Sequence, residues 1–349
     1  MHNVYTNSSS TPASILHAKP GKQLDFLWLE LTNRCNLQCV HCYTESSPHT
    51  GDRDILTKDD YISVMHQAYD LGCRKLQFIG GEPQLNGDFH ELLVTAKTIG
   101  FTFIEVFSNL TRLADKTLRF AVDNDVCFAT SVYSDEAEQH DAITKVKSSH
   151  QRTIGNLKKL IGEGVTTRAA IIVVDQMKPD VMRTKSFLES LGVRNVGHAA
   201  TQAFGRGEQV LDKPAEMSGL CGHCWNGKLC IAPDGDAYPC VMARQWKVGN
   251  VLEQPLADIM ASEPLEERRQ DIFNNVWLPK LAVVKKPAKK KPAKKGGYKR
   301  KKQPDENVDL PQNCKQSCGP DLSTCGPASC PQSCVPFQVV CEPTGETQR

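Results

Sequence analysis

The sequence has no long hydrophobic run: none of its 349 residues lies in anything near the ~18 consecutive apolar positions of a membrane-spanning helix. The N-terminal stretch is polar from Thr6 to Thr11 and lacks the apolar core of a secretory signal. Aromatic residues are sparse at 7%, yet a hydrophobic content of 40% and a charged content of 23% are those of a soluble globular protein. These absences predict a cytoplasmic protein with no membrane partner. They also bear on the fifteen cysteines, which without a secretory signal argue for metal or iron–sulfur ligation over disulfides. Acid is missing from one stretch, residues 285–302, which holds ten lysines and one arginine. Taking those eleven from the 42 basic residues leaves 31 against 40 acids, so an acidic body carries one strongly basic strip.

What is present begins with an apolar run, Phe26-Leu27-Trp28-Leu29-Glu30-Leu31, that reads as a buried strand. Cys35, Cys39 and Cys42 follow on the loop that leaves it, at Cys-x3-Cys-x2-Cys spacing. Three closely spaced thiolates on one loop hold three corners of a cubane [4Fe–4S] cluster and leave the fourth iron open for reaction. A zinc knuckle or a set of unrelated buried thiols is the competing reading. Zinc sites, however, favour paired ligands in sets of four, and His41 sits inside the short arm.

From this strand the pattern alternates. Strands are predicted near 26–32, 75–80, 103–109, 127–133, 166–174 and 194–201, and helices near 57–71, 88–99, 114–124, 151–163 and 178–191. Gly72, Gly100, Gly164 and Gly192 each follow a last apolar turn, as left-handed helix stops do. Thr57 precedes acids in the first turn of its helix, a capping pattern. Such an α/β order predicts a parallel sheet of right-handed βαβ units, either doubly wound or a partial barrel, with chemistry at the C-terminal ends of the strands. Four features fall there: the cysteine loop, Gly80-Gly81-Glu82-Pro83, Ser108-Asn109 and Ser131. Arg168 opens the fifth strand. Cys73 and Cys127 stand alone beside strand starts and read as small buried hydrophobes.

The cysteine spacing, followed about forty residues later by Gly-Gly-Glu-Pro, resembles the radical S-adenosylmethionine (SAM) enzymes over about residues 24–245. The resemblance selects the partial (β/α)6 TIM-like barrel. It implies that Cys35, Cys39 and Cys42 ligate a [4Fe–4S] cluster whose open iron chelates SAM, which is cleaved reductively to a 5′-deoxyadenosyl radical. It further implies SAM contacts from Gly80, Gly81, Glu82 and Pro83 to the amino group, from Ser108 and Asn109 to the ribose, and from His41 to adenine. Ser131 and Arg168 would hold the carboxylate, unless Arg168 lies at the far end of its strand. No further catalytic residue is legible.

After Gly205-Arg206-Gly207 the alternation stops and cysteines return. Cys224, Cys230 and Cys240, with Pro233-Asp234-Gly235-Asp236 as a turn that sets Cys230 and Cys240 across a hairpin, resemble the start of a SPASM domain. That cysteine-rich C-terminal Fe–S extension carries auxiliary clusters, and the resemblance makes these three cysteines ligands; Cys221 is extra, and a structural zinc site is the competing reading. A helix is expected near 255–271. Farther on, Cys314, Cys318, Cys325 and Cys330 are spaced by gaps each one residue longer than the family pattern, followed by Cys334 and Cys341, so one or two auxiliary clusters are expected. The expected organisation is an arm (1–23), the barrel (24–210), the SPASM-like region (211–280), a lysine-rich linker (281–310) and a cysteine-rich tail (311–349).

The resemblance thus implies an enzyme that modifies a peptide or protein by cross-linking, thioether formation or epimerisation, with a reductant such as flavodoxin or ferredoxin. Some 23 residues before the first strand leave no room for a fused leader-binding domain, so a separate leader-recognition protein, or the lysine strip, is expected to serve. A radical SAM enzyme acting on a small metabolite or as an activase is the alternative. A zinc- and nucleic-acid-binding protein is the non-enzymatic one, although the lysine strip has only Tyr298 for base stacking.

Overall fold

A computed structural model describes residues 23–50, 54–174 and 180–280. Six strands appear where alternation places them: β1 (Phe26–Glu30), β2 (Lys75–Ile79), β3 (Phe103–Phe107), β4 (Cys127–Ser131), β5 (Thr167–Val173) and β6 (Asn195–Ala200). They pair in parallel and strictly in sequence, β1 with β2 through to β5 with β6. A doubly wound sheet reverses its strand order within such a series, whereas β1 to β6 run in unbroken order, so their winding is that of a partial barrel.

The helices between are α1 (Lys58–Asp70), α2 (Phe89–Ile99), α3 (Asp115–Asn124), α4 (Ala137–Thr144), α5 (Ser149–Gly162) and α6 (Val181–Ser190). α1 shows why they form. Thr57 and Asp60 make a reciprocal capping box, and Tyr61, Val64, Met65 and Ala68 recur at helical spacing on the buried face. The four glycine stops have φ between +79° and +109°, the region that favours glycine. Sequence periodicity missed α4, because it buries His140 and Thr144 along with Ile143 and so carries little apolar signal.

The two faces of the sheet differ in chemistry. Leu27, Leu29, Leu76 and Phe78 pack outward against the helices in the main core. Trp28, Gln77 and Glu105 are register partners on the opposite face, inside the barrel. Burying Gln77 and Glu105 there requires partners, and Arg168 supplies them: its Nε and Nη2 lie 2.8 and 2.7 Å from the two Glu105 oxygens, while Gln77 donates to the same carboxylate. A buried polar layer therefore floors the barrel.

After β6 a short helix, α7 (Arg206–Leu211), precedes the hairpin β7 (Lys228–Ile231) and β8 (Asp236–Tyr238), with β9 (Gly249–Asn250) alongside. The hairpin turns at Gly235, φ +86°, as the Pro-Asp-Gly-Asp pattern predicts. Across it Cys230 faces Tyr238, not Cys240, which follows two residues beyond. β7 runs parallel to β1, with Cys230 opposite Trp28, so this region continues the barrel's own sheet to nine strands. The helix expected near 255–271 is two, α8 (Leu256–Ala261) and α9 (Glu263–Ile272), because Ser262 caps a second start just before Pro264. No helix of the described residues is long and apolar enough to cross a membrane. The lysine strip and Cys314, Cys318, Cys325, Cys330, Cys334 and Cys341 lie outside the described residues.

Candidate active site

The C-terminal ends of the strands open onto one cavity, lined among others by Cys35, Cys39 and Cys42. The cysteine loop is held by its neighbours rather than by regular structure of its own. Cys35 N donates to Ser47 O at 3.0 Å, and Gln38 N and Val40 N donate to Thr144 O and Ile143 O, each at 3.0 Å, at the end of α4. Around the sulfurs stand polar hydrogens: Leu37 N lies 3.4 Å and Asn109 Nδ2 3.6 Å from Cys35 Sγ, Tyr133 Oη 3.7 Å from Cys39 Sγ, and Thr44 Oγ1 3.2 Å from Cys42 Sγ. Hydrogen bonds to sulfur are among the levers that tune a cluster.

Burial pushes the Cys39 thiol up to about 12 and the Cys35 thiol up as well. Such thiols stay protonated unless a cation takes the proton's place, which is what a metal does when a thiolate coordinates it. Among the described residues no three Cys, His, Asp or Glu side chains are arranged to hold a single metal ion.

His41 also lines the cavity, edge-on to Tyr133 at 5.1 Å between ring centroids. Burial, and then the nearby Arg206 charge, lower it to about 4, so it is a neutral ring. Its Nδ1 is buried without a hydrogen-bond partner in the protein, an orphan that a bound ligand would satisfy.

Gly80, Gly81, Asn109 and Ser131 line the same cavity, as the sequence predicts. The glycines are required by contacts within the protein itself. A Cβ on Gly81 would lie 2.2 Å from Arg34 O, and one on Gly80 2.7 Å from Thr32 O. They seat the β2 loop on the backbone that leads into the cysteine loop, with Gly81 N donating to Thr32 O at 2.8 Å. Glu82 turns away from the cavity. It is buried and accepts from Ser108 Oγ and Asn109 N, each at 2.8 Å, tying the β2 loop to the β3 loop, and burial raises it to about 6. Ser108 and Pro83 are likewise buried behind the wall, Pro83 opening the short turn Pro83–Leu85. Arg168 is not at the cavity. It lies at the start of β5, committed to Glu105, and its guanidinium sits 5.5 Å below the ring of Phe107, itself a cavity residue. Its part is in the floor.

Met242, four residues before Trp246 in the cysteine-rich region, lines the cavity from the other side. That region meets the cysteine loop in one apolar cluster in which Cys224, Cys230, Cys240 and Tyr43 all take part. Tyr43, next to Cys42, donates to Glu30 Oε1 at 2.9 Å, and Arg244 pairs with the other oxygen of this fully buried carboxylate. The thiol of Cys224 is in side-chain contact with both Cys221 and Cys240. Cys230 is fully buried, opposite Trp28 on β1 and Tyr238 on β8. The sequence leaves Cys221 open, as a ligand or a bystander, in a Cys-x2-Cys step with Cys224.

These features are matched by known proteins. Residues 29–187 match the radical SAM superfamily, and residues 221–282 match the SPASM iron–sulfur cluster-binding domain. The chain thus carries a match to a radical SAM domain followed by one to a SPASM domain. This radical SAM domain implies a [4Fe–4S] cluster and SAM, and the SPASM domain binds iron–sulfur. AlbA, the antilisterial bacteriocin subtilosin biosynthesis protein of Bacillus subtilis, is 24% identical over 296 residues, 75% of this chain and 63% of AlbA. A probable GTP 3′,8-cyclase of Saccharolobus islandicus is 27% identical over 177 residues, 50% of this chain and 56% of the cyclase. The chain therefore spans less than two thirds of the length of either relative. The crystal structure of Streptococcus suis SuiB bound to SAM superposes with a TM-score of 0.58 at 16% identity, covering 75% of this chain and 70% of SuiB. SuiB bound to its precursor peptide SuiA superposes at 0.56 with 15% identity, covering 76% of this chain and 74% of SuiB.

The cysteine contacts separate two ligand sets for the SPASM domain. If Cys221, Cys224 and Cys240 hold the cluster, Cys221→Ala is expected to remove iron as completely as Cys224→Ala. Cys230→Ala, at a position opposite Trp28 in the sheet, is expected to remove less. Iron and sulfide counts on anaerobically reconstituted variants read the difference. Loss on Cys230→Ala but not on Cys221→Ala would restore the set read from the sequence.

Proposed function

We propose that this radical SAM protein is a peptide maturase. Its cavity is built jointly by the cysteine loop and by Met242 of the SPASM domain, and among the described residues no Asp, Glu, Lys or Arg lines it. That observation carries the reading. A nucleoside triphosphate brings several negative charges into its site and needs cations to meet them. Here His41 and His140 are the basic groups of the lining, and burial lowers them to about 4 and about 3, so they are neutral. Peptide backbone and side chains need no such cations. AlbA is named for bacteriocin biosynthesis, and SuiB was solved with a precursor peptide, which support the same reading.

Cys35, Cys39 and Cys42 would hold the SAM cluster, and Cys221, Cys224 and Cys240 an auxiliary one. When bound, the cluster and SAM supply reductive cleavage of SAM to a 5′-deoxyadenosyl radical that takes a hydrogen atom from the substrate. The chain's own residues orient and shield. Asn109 bridges Cys35 Sγ and Asn36 Oδ1, the latter at 2.8 Å, which fixes the inner wall beside the first cysteine. Ile79, Phe107, Ile172 and Met242 line the cavity with apolar surface that keeps water from a reactive species. An external reductant of the flavodoxin or ferredoxin type, a separate leader-recognition protein and a docking role for the lysine strip complete the proposal.

Anaerobic incubation of the reconstituted protein with dithionite, SAM and short peptides drawn from open reading frames found near its gene tests the proposal. The expected result is 5′-deoxyadenosine together with a peptide that has lost hydrogen or changed stereochemistry. Turnover of GTP with the peptides untouched would overturn it.

A further inference from the structure

Gly205-Arg206-Gly207, where the strand–helix alternation ends, has no part in the site so far. Its backbone lies against the cysteine loop. A Cβ on Gly205, whose φ is +54°, would come within 2.5 Å of Tyr43 O and 2.7 Å of Cys42 O. A Cβ on Gly207 would come within 2.1 Å of Gln202 O, which keeps the segment tight on the end of β6. Between them Arg206 takes hold of three carbonyls of the loop: its backbone N donates to Cys42 O at 3.0 Å, Nε to Cys39 O at 2.9 Å and Nη2 to Ser46 O at 2.7 Å.

We propose that Arg206 is a positioning residue for the SAM cluster: it locks the Cys39–Ser46 backbone from behind and sets a fixed positive charge beside the cluster's thiolates. The inference rests on the assignment of that cluster to Cys35, Cys39 and Cys42. A planar fork whose N–H groups diverge reaches two carbonyls on opposite sides of the Cys42 turn at once, which a lysine ammonium on its flexible stem does not do. The charge lies close to the cluster's ligands too, since the guanidinium Nε sits 2.9 Å from the carbonyl oxygen of Cys39 itself. Reducing a cluster adds negative charge, and net charge nearby is one of the levers on its potential. A cation held here stabilises the reduced cluster and raises its midpoint potential, which eases electron entry.

Arg206→Lys and Arg206→Met separate the two effects. Each is reconstituted in the full chain, challenged with a chelator to follow iron loss, and titrated by EPR-monitored reduction. Both variants are expected to release the SAM cluster faster, roughly 10–100-fold in line with the loss of outer-shell support at metal sites. Only Arg206→Met is expected to lower the midpoint potential, with lysine restoring it. Auxiliary-cluster iron and the circular dichroism spectrum are expected to match the parent. Two results would overturn the proposal: parental release and potential in both variants, or loss of auxiliary iron as well, which would make Arg206 a general folding residue. If the parent itself keeps all its iron when Cys35, Cys39 and Cys42 are replaced, the cluster assignment fails instead.

Discussion

Replacing Cys35, Cys39 and Cys42 together with alanine is expected to remove about four irons per chain and to leave auxiliary iron in place. SAM cleavage falls to the uncatalysed background, a loss of about a million-fold or more. The effect is large because no further cysteine among the described residues lines the cavity. The other described cysteines outside the SPASM domain are Cys73, which donates to Lys75 O at 3.3 Å, and Cys127, in the cluster with Phe26 and Phe103; neither lines the cavity. Yet the fold has little reason to suffer. Cys35 is buried as a small apolar side chain would be, and alanine fits the same space. Loss of activity with an unchanged melting temperature is the expected pairing. A triple variant that still cleaves SAM would end the assignment. One that holds no iron at all would remove the auxiliary cluster, and with it much of the case for a peptide substrate.

The second large effect is on stability. Arg168→Met leaves the carboxylate of Glu105, 1% exposed, with Gln77 as its remaining side-chain partner among the described residues. Removing one member of a buried pair costs about 3–5 kcal/mol, because the other charge stays desolvated and uncompensated. Against a total stability of about 5–15 kcal/mol that is enough to leave part of the protein unfolded. Adding Glu105→Gln to Arg168→Met removes the charge and is expected to recover most of the loss. Urea denaturation of the single and double variants measures both. Were Arg168 instead a ligand for the SAM carboxylate, the single variant would be nearly as stable as the parent and would bind SAM poorly, and Glu105→Gln would rescue nothing.

Arg168 shows where reading the sequence reaches its limit. Its place at the opening of a strand was legible, and so was the choice between a ligand contact and the strand's far end. What decides between them is Glu105, 63 residues away and on a strand that is not its neighbour. Period-2 alternation says which side chains share a face, but not which partner a buried charge meets across that face. Cys230 makes the same point. The turn at Gly235 was legible, but the register that puts Tyr238 and not Cys240 opposite it depends on how the hairpin packs. The paired glycines of Gly80-Gly81 were legible as sites of close approach, but what approaches is the backbone of Thr32 and Arg34.

What the sequence by itself determined is local: the strand–helix alternation, the glycine stops, the Thr57 cap and the spacing of three thiols on one loop. Each depends on residues a few positions apart, where propensity, capping and reach act directly. The tertiary structure decided the rest. It set the strand order that makes a barrel, the docking of β7 on β1, and the long-range bonds Arg206–Cys39 and Arg244–Glu30, separated by 167 and 214 residues. A buried charge or an orphaned carbonyl must be satisfied, but nothing in its own neighbourhood names the residue that does it. Folding supplies that partner, and here the partners gather around the cysteine loop.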